Sequence, residues 1–420
     1  MHLFSYFYNE EKGGHAMENK RHSDFSISAG IFIIFLVALA QFATTFPQYQ
    51  LPPIQGMIMT RTGMNLSQYI QCYTAPMLPA VLLGLYGGLL VDRHGPKPVI
   101  GIGILVSGIG IILRCVSNGY PLYFISMALT GVAPALIFSS GAKIMGQWFN
   151  PKHVSLAVGF MMLGGSFANL IATATTAFLP SDNAAYLLNG FICVVSLGIW
   201  LIFMKNRPDS SENPQSRSSS DKFSSGNALK QVLRSKTIWL VSLCMLFIMG
   251  FYMTIASSAP SALESIGYSQ TQASLLATAL SIGSPVGCIL GSALVIRSGR
   301  VKIFLFSLIA ITVIIVPTCW QSDIPVIVYA ALLLTGFCYG TCQVTIMAIP
   351  TRLPEIGNIY AGTAGGLLST IQMLGSLLLP SNILVPLAGD SYIILFLLAA
   401  LCLALSGIVC LCFPRLNFDS

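Results

Sequence analysis

Apolar residues in this chain do not alternate with polar ones; they run on in long blocks. Blocks fall at residues 27–47, 69–91, 97–117, 120–145, 154–179 and 185–204, and again at 237–258, 270–296, 302–320, 325–349, 361–386 and 391–414. Each is about the length that an α-helix needs to cross a ~30 Å hydrocarbon core. Lipid offers a backbone no hydrogen-bond partner, so such blocks predict helices rather than loops or open strands. The pattern therefore predicts an all-α membrane protein with twelve transmembrane helices. An even number of crossings puts both termini on one side.

Composition agrees. Only 8% of the 420 residues are charged and 55% are hydrophobic, against about 25% charged in a soluble domain. The eleven cysteines sit mostly inside the blocks without paired spacing, which reads as buried thiols rather than disulfides or metal ligands. Charge then sets the orientation. Of 21 basic residues, Arg61 and Arg114 alone fall on the loops between odd and even blocks; the rest share the side of the termini. Basic loops stay on the cytoplasmic side, so both termini are expected there, in the cell membrane. Arg114, near the far end of the third block, is expected to snorkel toward the interface.

Residues 205–236 ("KNRPDSSENPQSRSSSDKFSSGNALKQVLRSK") form the one long polar segment. Its serine, proline and charge content cannot support a core, so it predicts a cytoplasmic linker. The chain then divides into an N-terminal segment 1–26, a six-helix half 27–204, the linker, a second half 237–414, and a tail 415–420. The opening residues lack a signal-peptide hydrophobic core. Codons for "EKGG" can spell a purine-rich element just upstream of Met17, so translation is expected to start at Met17, with residues 1–16 a leader.

The halves repeat weakly at a period of roughly 204. "GGLLVDRHGPK" (87–97) pairs with "GSALVIRSGRVK" (291–302), placing Arg93 on Arg297 and Gly95 on Gly299, with Ile296 opposite Asp92. Likewise "LTGVAPALI" matches "LTGFCYGTC", and Asn169 falls close to Gln372. Two parallel six-helix halves suit a transporter that binds its solute at the midplane between them.

On these residues the chain resembles the major facilitator superfamily. Gly88, Leu90, Asp92, Arg93, Gly95 and Lys97 lie on that family's loop signature G-x-L-x-D-R-x-G-x-K, with Pro96 departing from the usual basic residue. Gly299 and Arg300, beside Arg297, form the degenerate second copy, and "QWFNP" (147–151) looks like the family's W-F-P segment. The resemblance implies that the Asp92 loop latches the halves in the outward-facing state, by charge-assisted hydrogen bonds. Gly88 and Gly95 would supply close approach and a tight turn. It also implies that spans 1, 4, 7 and 10 line a central cavity.

None of the fourteen acidic residues falls in the middle of a block, nor does a basic one, so neither a carboxylate proton relay nor an arginine clamp is expected there. Uncharged polar side chains remain. Gln41, Asn169, Tyr252, Tyr339, Gln343 and Gln372 are the candidate solute ligands, against their alternative use as glue between helices. The expected function is transport of a small polar metabolite or monovalent anion by alternating access. The drug–proton antiporter pattern G-x-x-x-G-P-x-x-G-G is missing, which demotes efflux to an alternative; a transporter-like sensor would need a larger soluble domain. Enzyme motifs such as HExxH and GxSxG are absent from the sequence. No cofactor, metal or nucleic acid is expected. The expected partners are a small-molecule substrate, with or without a coupling ion, and the lipid bilayer, with the chain working as a monomer.

Overall fold

The computed structural model describes residues 17–83, 86–149, 151–204, 231–298, 300–353, 357–389 and 391–413. The first half holds α1 (Met17–Tyr49), α2 (Gln55–Thr62), α3 (Leu66–Thr74), α4 (Met77–Leu83), α5 (Tyr86–His94), α6 (Pro96–Cys115), α7 (Tyr120–Thr130), α8 (Val132–Trp148), α9 (Pro151–Thr175) and α10 (Asp182–Phe203). After residue 231 come α11 (Lys236–Ser265), α12 (Gln270–Val286), α13 (Ser292–Ser298), α14 (Val301–Cys319), α15 (Pro325–Met347), α16 (Gly357–Leu378), α17 (Val385–Ala388) and α18 (Tyr392–Leu411). Large apolar side chains such as Ile112, Phe191, Ile202 and Val326 point outward, as they should where the surrounding solvent is hydrocarbon.

Among the described residues, eleven helical stretches are long and apolar enough to span a bilayer. The twelfth block, 69–91, is not a continuous helix. Pro76 and Pro79 lack an N–H and crowd the preceding turn, and the helix is interrupted at residues 75–76, between α3 and α4; residues 84 and 85, between α4 and α5, lie outside the described residues. The loop expected between blocks 1 and 2 also holds structure, since α2 follows a turn of 3₁₀ helix at Pro52–Ile54.

The repeat is visible in the way helices start. Asn65 caps α3 with a reciprocal pair to Gln68, and Ser269 caps α12 with the same pair to Gln272. Each box satisfies two otherwise orphaned backbone donors. Close packing repeats too. A side chain at Gly131, between α7 and α8, would collide with the backbone of Pro76; one at Gly336 in α15 would collide with that of Leu280 in α12. Both glycines let a fourth helix of a half lie directly against its second.

Two large apolar cores and a small one around Phe46, Ala168 and Ala172 result among the described residues. One large core, around Val37, Ile104, Ile137 and Trp200, stays within residues 33–204. The other runs through the second half and crosses to Leu51, Ile54, Tyr69 and Tyr186 of the first. We call the end that carries residues 93–97 and 297–302 the basic face and the other end the distal face. The crossing lies at the distal face. Hydrogen bonds reinforce it there: Ser67 Oγ donates to Ser381 O at 2.8 Å, Gln270 Nε2 to Pro53 O at 2.7 Å, Gln71 Nε2 to Asn382 Oδ1 at 3.2 Å, and Gln55 Nε2 to the Tyr392 hydroxyl at 3.4 Å.

Candidate functional site

Midway along the helices, polar side chains from both halves converge. Tyr252 of α11 and Tyr339 of α15 stack, with ring centroids 3.9 Å apart and planes within 14°. Below them Gln372 of α16 donates Nε2 to Gln343 Oε1 of α15 at 2.8 Å and approaches Met249 Sδ at 3.6 Å. The Tyr339 hydroxyl donates to the same sulfur at 3.5 Å. Gln372 is buried, and its Oε1 has no hydrogen-bond partner.

Asn169 of α9 reaches this group from the first half. Its Oδ1 accepts from Ser281 Oγ of α12 at 2.8 Å and from Thr173 Oγ1 at 3.3 Å, and its side chain meets that of Tyr252. Gln41 of α1 packs over Gly165, one helical turn from Asn169 on α9, and its Oε1 is likewise buried without a partner. Tyr49, edge-on to Tyr73 at 6.4 Å, lies beside the stacked pair. The sequence-derived residues thus come together, five in one connected cluster and Gln41 a turn away. Ser281 and Met249 are the members that the sequence did not announce. Among the described residues the cluster holds no charged side chain and no group of three or more potential metal ligands.

The loop signature is seen in part. Gly95 takes φ +82°, a conformation that residues with a side chain avoid, and it ends α5 directly against Pro96 at the start of α6. Leu90, Arg93, Arg297 and Arg300 are exposed, and the Lys97 carbonyl accepts from Trp200 Nε1 at 2.9 Å. The side-chain surroundings of Gly88 and Asp92, and Gly299 altogether, lie outside the described residues.

Arg114 corrects an expectation. It does not snorkel: it is fully buried at the distal end of α6, donates Nη1 to Pro47 O at 3.1 Å and lies 5.3 Å from the centroid of the Tyr186 ring. Arg61 of α2 covers it, donating Nη2 to the Arg114 carbonyl at 3.4 Å and pairing with Asp182 at 2.8 Å.

The model of the Major Facilitator Superfamily matches residues 31–380. A probable sulfoacetate transporter of Cupriavidus necator is 22% identical over 367 residues, covering 80% of this chain and 83% of its own. A galacturonate transporter of Dickeya chrysanthemi is 25% identical over 54% of this chain and 68% of its own. The crystal structure of a bacterial homologue of the human lysosomal transporter Spinster, described as inward-facing and unoccupied, superposes with TM-score 0.74 at 12% identity, covering 92% of this chain and 98% of that one. A family match over most of the chain, on a fold of the same kind, makes this multi-pass membrane transporter a member of the major facilitator superfamily.

Proposed function

We propose that the chain carries a small polar metabolite or monovalent anion through the cluster of Asn169, Ser281, Tyr252, Tyr339, Gln343 and Gln372, with Gln41 flanking it. The observation that supports this most is the convergence of uncharged amides and phenols from both halves at mid-depth. Each half contributes a hydrogen-bonding wall, and a solute between the walls is held in the state where both are near. The relatives are named for organic anions, and of these galacturonate, with one charge, fits the cluster better than sulfoacetate, with two. Without a cation in the described cluster, the favoured solute here bears at most one negative charge, because a second would be desolvated without a counter-charge.

In this reading the two halves, 27–204 and 237–414, rock about the cluster, with 205–236 as a cytoplasmic linker. The basic face is cytoplasmic, as are both termini, in the cell membrane. The conformation is then closed toward the outside. The chain acts as a monomeric carrier, not an enzyme. The loop of Asp92, Arg93 and Lys97, with Arg297 and Arg300, closes the cytoplasmic side in the opposite state, and Gly88, Leu90, Gly95 and Gly299 shape it. Asp92→Asn should then leave insertion intact and impair transport, while Lys152→Ala transports normally; wild-type rates in a well-expressed Asp92→Asn protein would remove the loop from the gate.

Purified protein in proteoliposomes tests the main reading. Uptake is measured across labelled monovalent sugar acids, sulfonates and neutral polyols, with and without a proton gradient. Saturable accumulation of one neutral or singly charged solute is expected. Saturable uptake of a dianion in preference to these would refute the substrate class.

A further inference from the structure

The distal end of the first half holds a second polar cluster, and it has a surplus of positive charge. We propose that Arg114, flanked by the hydroxyl pair of Tyr123 and Tyr186, binds a small monovalent anion, either a free inorganic ion or the carboxylate of a solute.

Two guanidinium groups meet one carboxylate here. Asp182 is engaged by Arg61, whose Nη1 also donates to Asn183 Oδ1. Arg114 is wholly buried, and of its nitrogens Nη1 alone has a hydrogen-bond partner; Nε and Nη2 are buried without one. The carbonyls at the end of α6 do not supply the missing acceptors. Leu113 O takes bonds from Val116 N and Ser117 Oγ, and Arg114 O takes them from Ser117 N and Arg61 Nη2.

Both guanidinium groups lie near the Tyr186 ring, at 5.4 and 5.3 Å. Stacking a cation on a ring recovers only part of the cost of burying it. The Tyr123 and Tyr186 hydroxyls are 3.0 Å apart; one proton serves the bond between them and the other is free to donate. Gln50, tied to Ala185 O, has a buried Oε1 without a partner. An amide oxygen can accept an N–H, but it cannot neutralise a charge. Donors therefore outnumber acceptors around a buried cation, which is the chemistry that holds an anion. This site is distinct from the central cluster and does not rest on the function proposed for it.

The test uses the full chain purified in detergent, in a buffer whose anion is a bulky sulfonate. Chloride, nitrate and formate are titrated at constant ionic strength while thermal unfolding is followed, since an anion that binds the folded state alone raises the midpoint saturably. Wild type should show such a rise for at least one of the three. R114Q keeps a donor for Pro47 but removes the charge, and should lose the rise. Where R114Q does not fold, the double variant Tyr123→Phe with Tyr186→Phe keeps both rings and should weaken the apparent affinity about fivefold or more. A response to chloride and nitrate as well as formate marks a site for a free ion; a response to formate alone marks a carboxylate site. No saturable response in wild type, or one unchanged in the variants, overturns the proposal. Uptake in variants of the central cluster is a separate readout, so either reading can fail alone.

Discussion

Gln372 of α16 is buried with only part of its hydrogen-bonding capacity used. Its Nε2 is spent on Gln343 and Met249 while its Oε1 is buried with no partner, so it has capacity left for a solute donor. Removing one partner from a buried ligand costs about 1–3 kcal/mol, roughly five- to 150-fold in affinity. Gln372→Ala should raise the half-saturating solute concentration within that range, with the protein still in the membrane; an unchanged value in this variant and in Asn169→Ala would make both residues helix glue. These residues could be read from the sequence because an amide or phenol stands out inside an apolar block. Ser281 and Met249 could not. Serine is common on membrane helices, where it bonds its own backbone, and methionine looks like core until a tyrosine hydroxyl and an amide are found on its sulfur. Arg114 was misread because nothing in its own surroundings reveals α2, the short helix that folds over it.

At the scale of the helices, length and spacing were legible and interruptions were not. Most block boundaries lie within a few residues of the observed helices, since a helix in lipid must stay helical until it leaves. The second block broke because two prolines three residues apart override its hydropathy. The capping boxes at Asn65–Gln68 and Ser269–Gln272 are written in the sequence as N-x-x-Q and S-x-x-Q before apolar runs, 204 residues apart, at the period of the repeat. Which glycines matter was not legible, because that depends on the neighbour. Gly336 faces the α12 backbone, whereas Gly366 has nothing within 4 Å of where a side chain would begin. Gly336→Val should abolish the monodisperse peak in size-exclusion of the solubilised protein, and Gly366→Ala should keep it. Equal behaviour of the two would mean that α12 and α15 can part without loss of the fold.

For the whole molecule, the loop signature, the twelve apolar blocks and the weak repeat were enough to indicate the family, while the conformation in which the halves meet had no sequence signature. A segment as polar as residues 205–236 is expected to bury little, so deleting about half of residues 208–228 should leave uptake near wild type at normal expression; lost uptake would assign the segment to regulation or gating. The distal seam has a consequence of its own. Its bonds join amides, hydroxyls and carbonyls, and the Arg61–Asp182 pair lies entirely within the first half. Screening acts on charges, and raising salt from about 0.1 M to 1 M shortens the Debye length from about 10 Å to 3 Å. The rate at which the seam parts, followed by a fluorophore pair across it, should therefore be nearly indifferent to ionic strength when a salt of a bulky anion is used. A carrier so built would open its distal face at the same pace in fresh water as in brine.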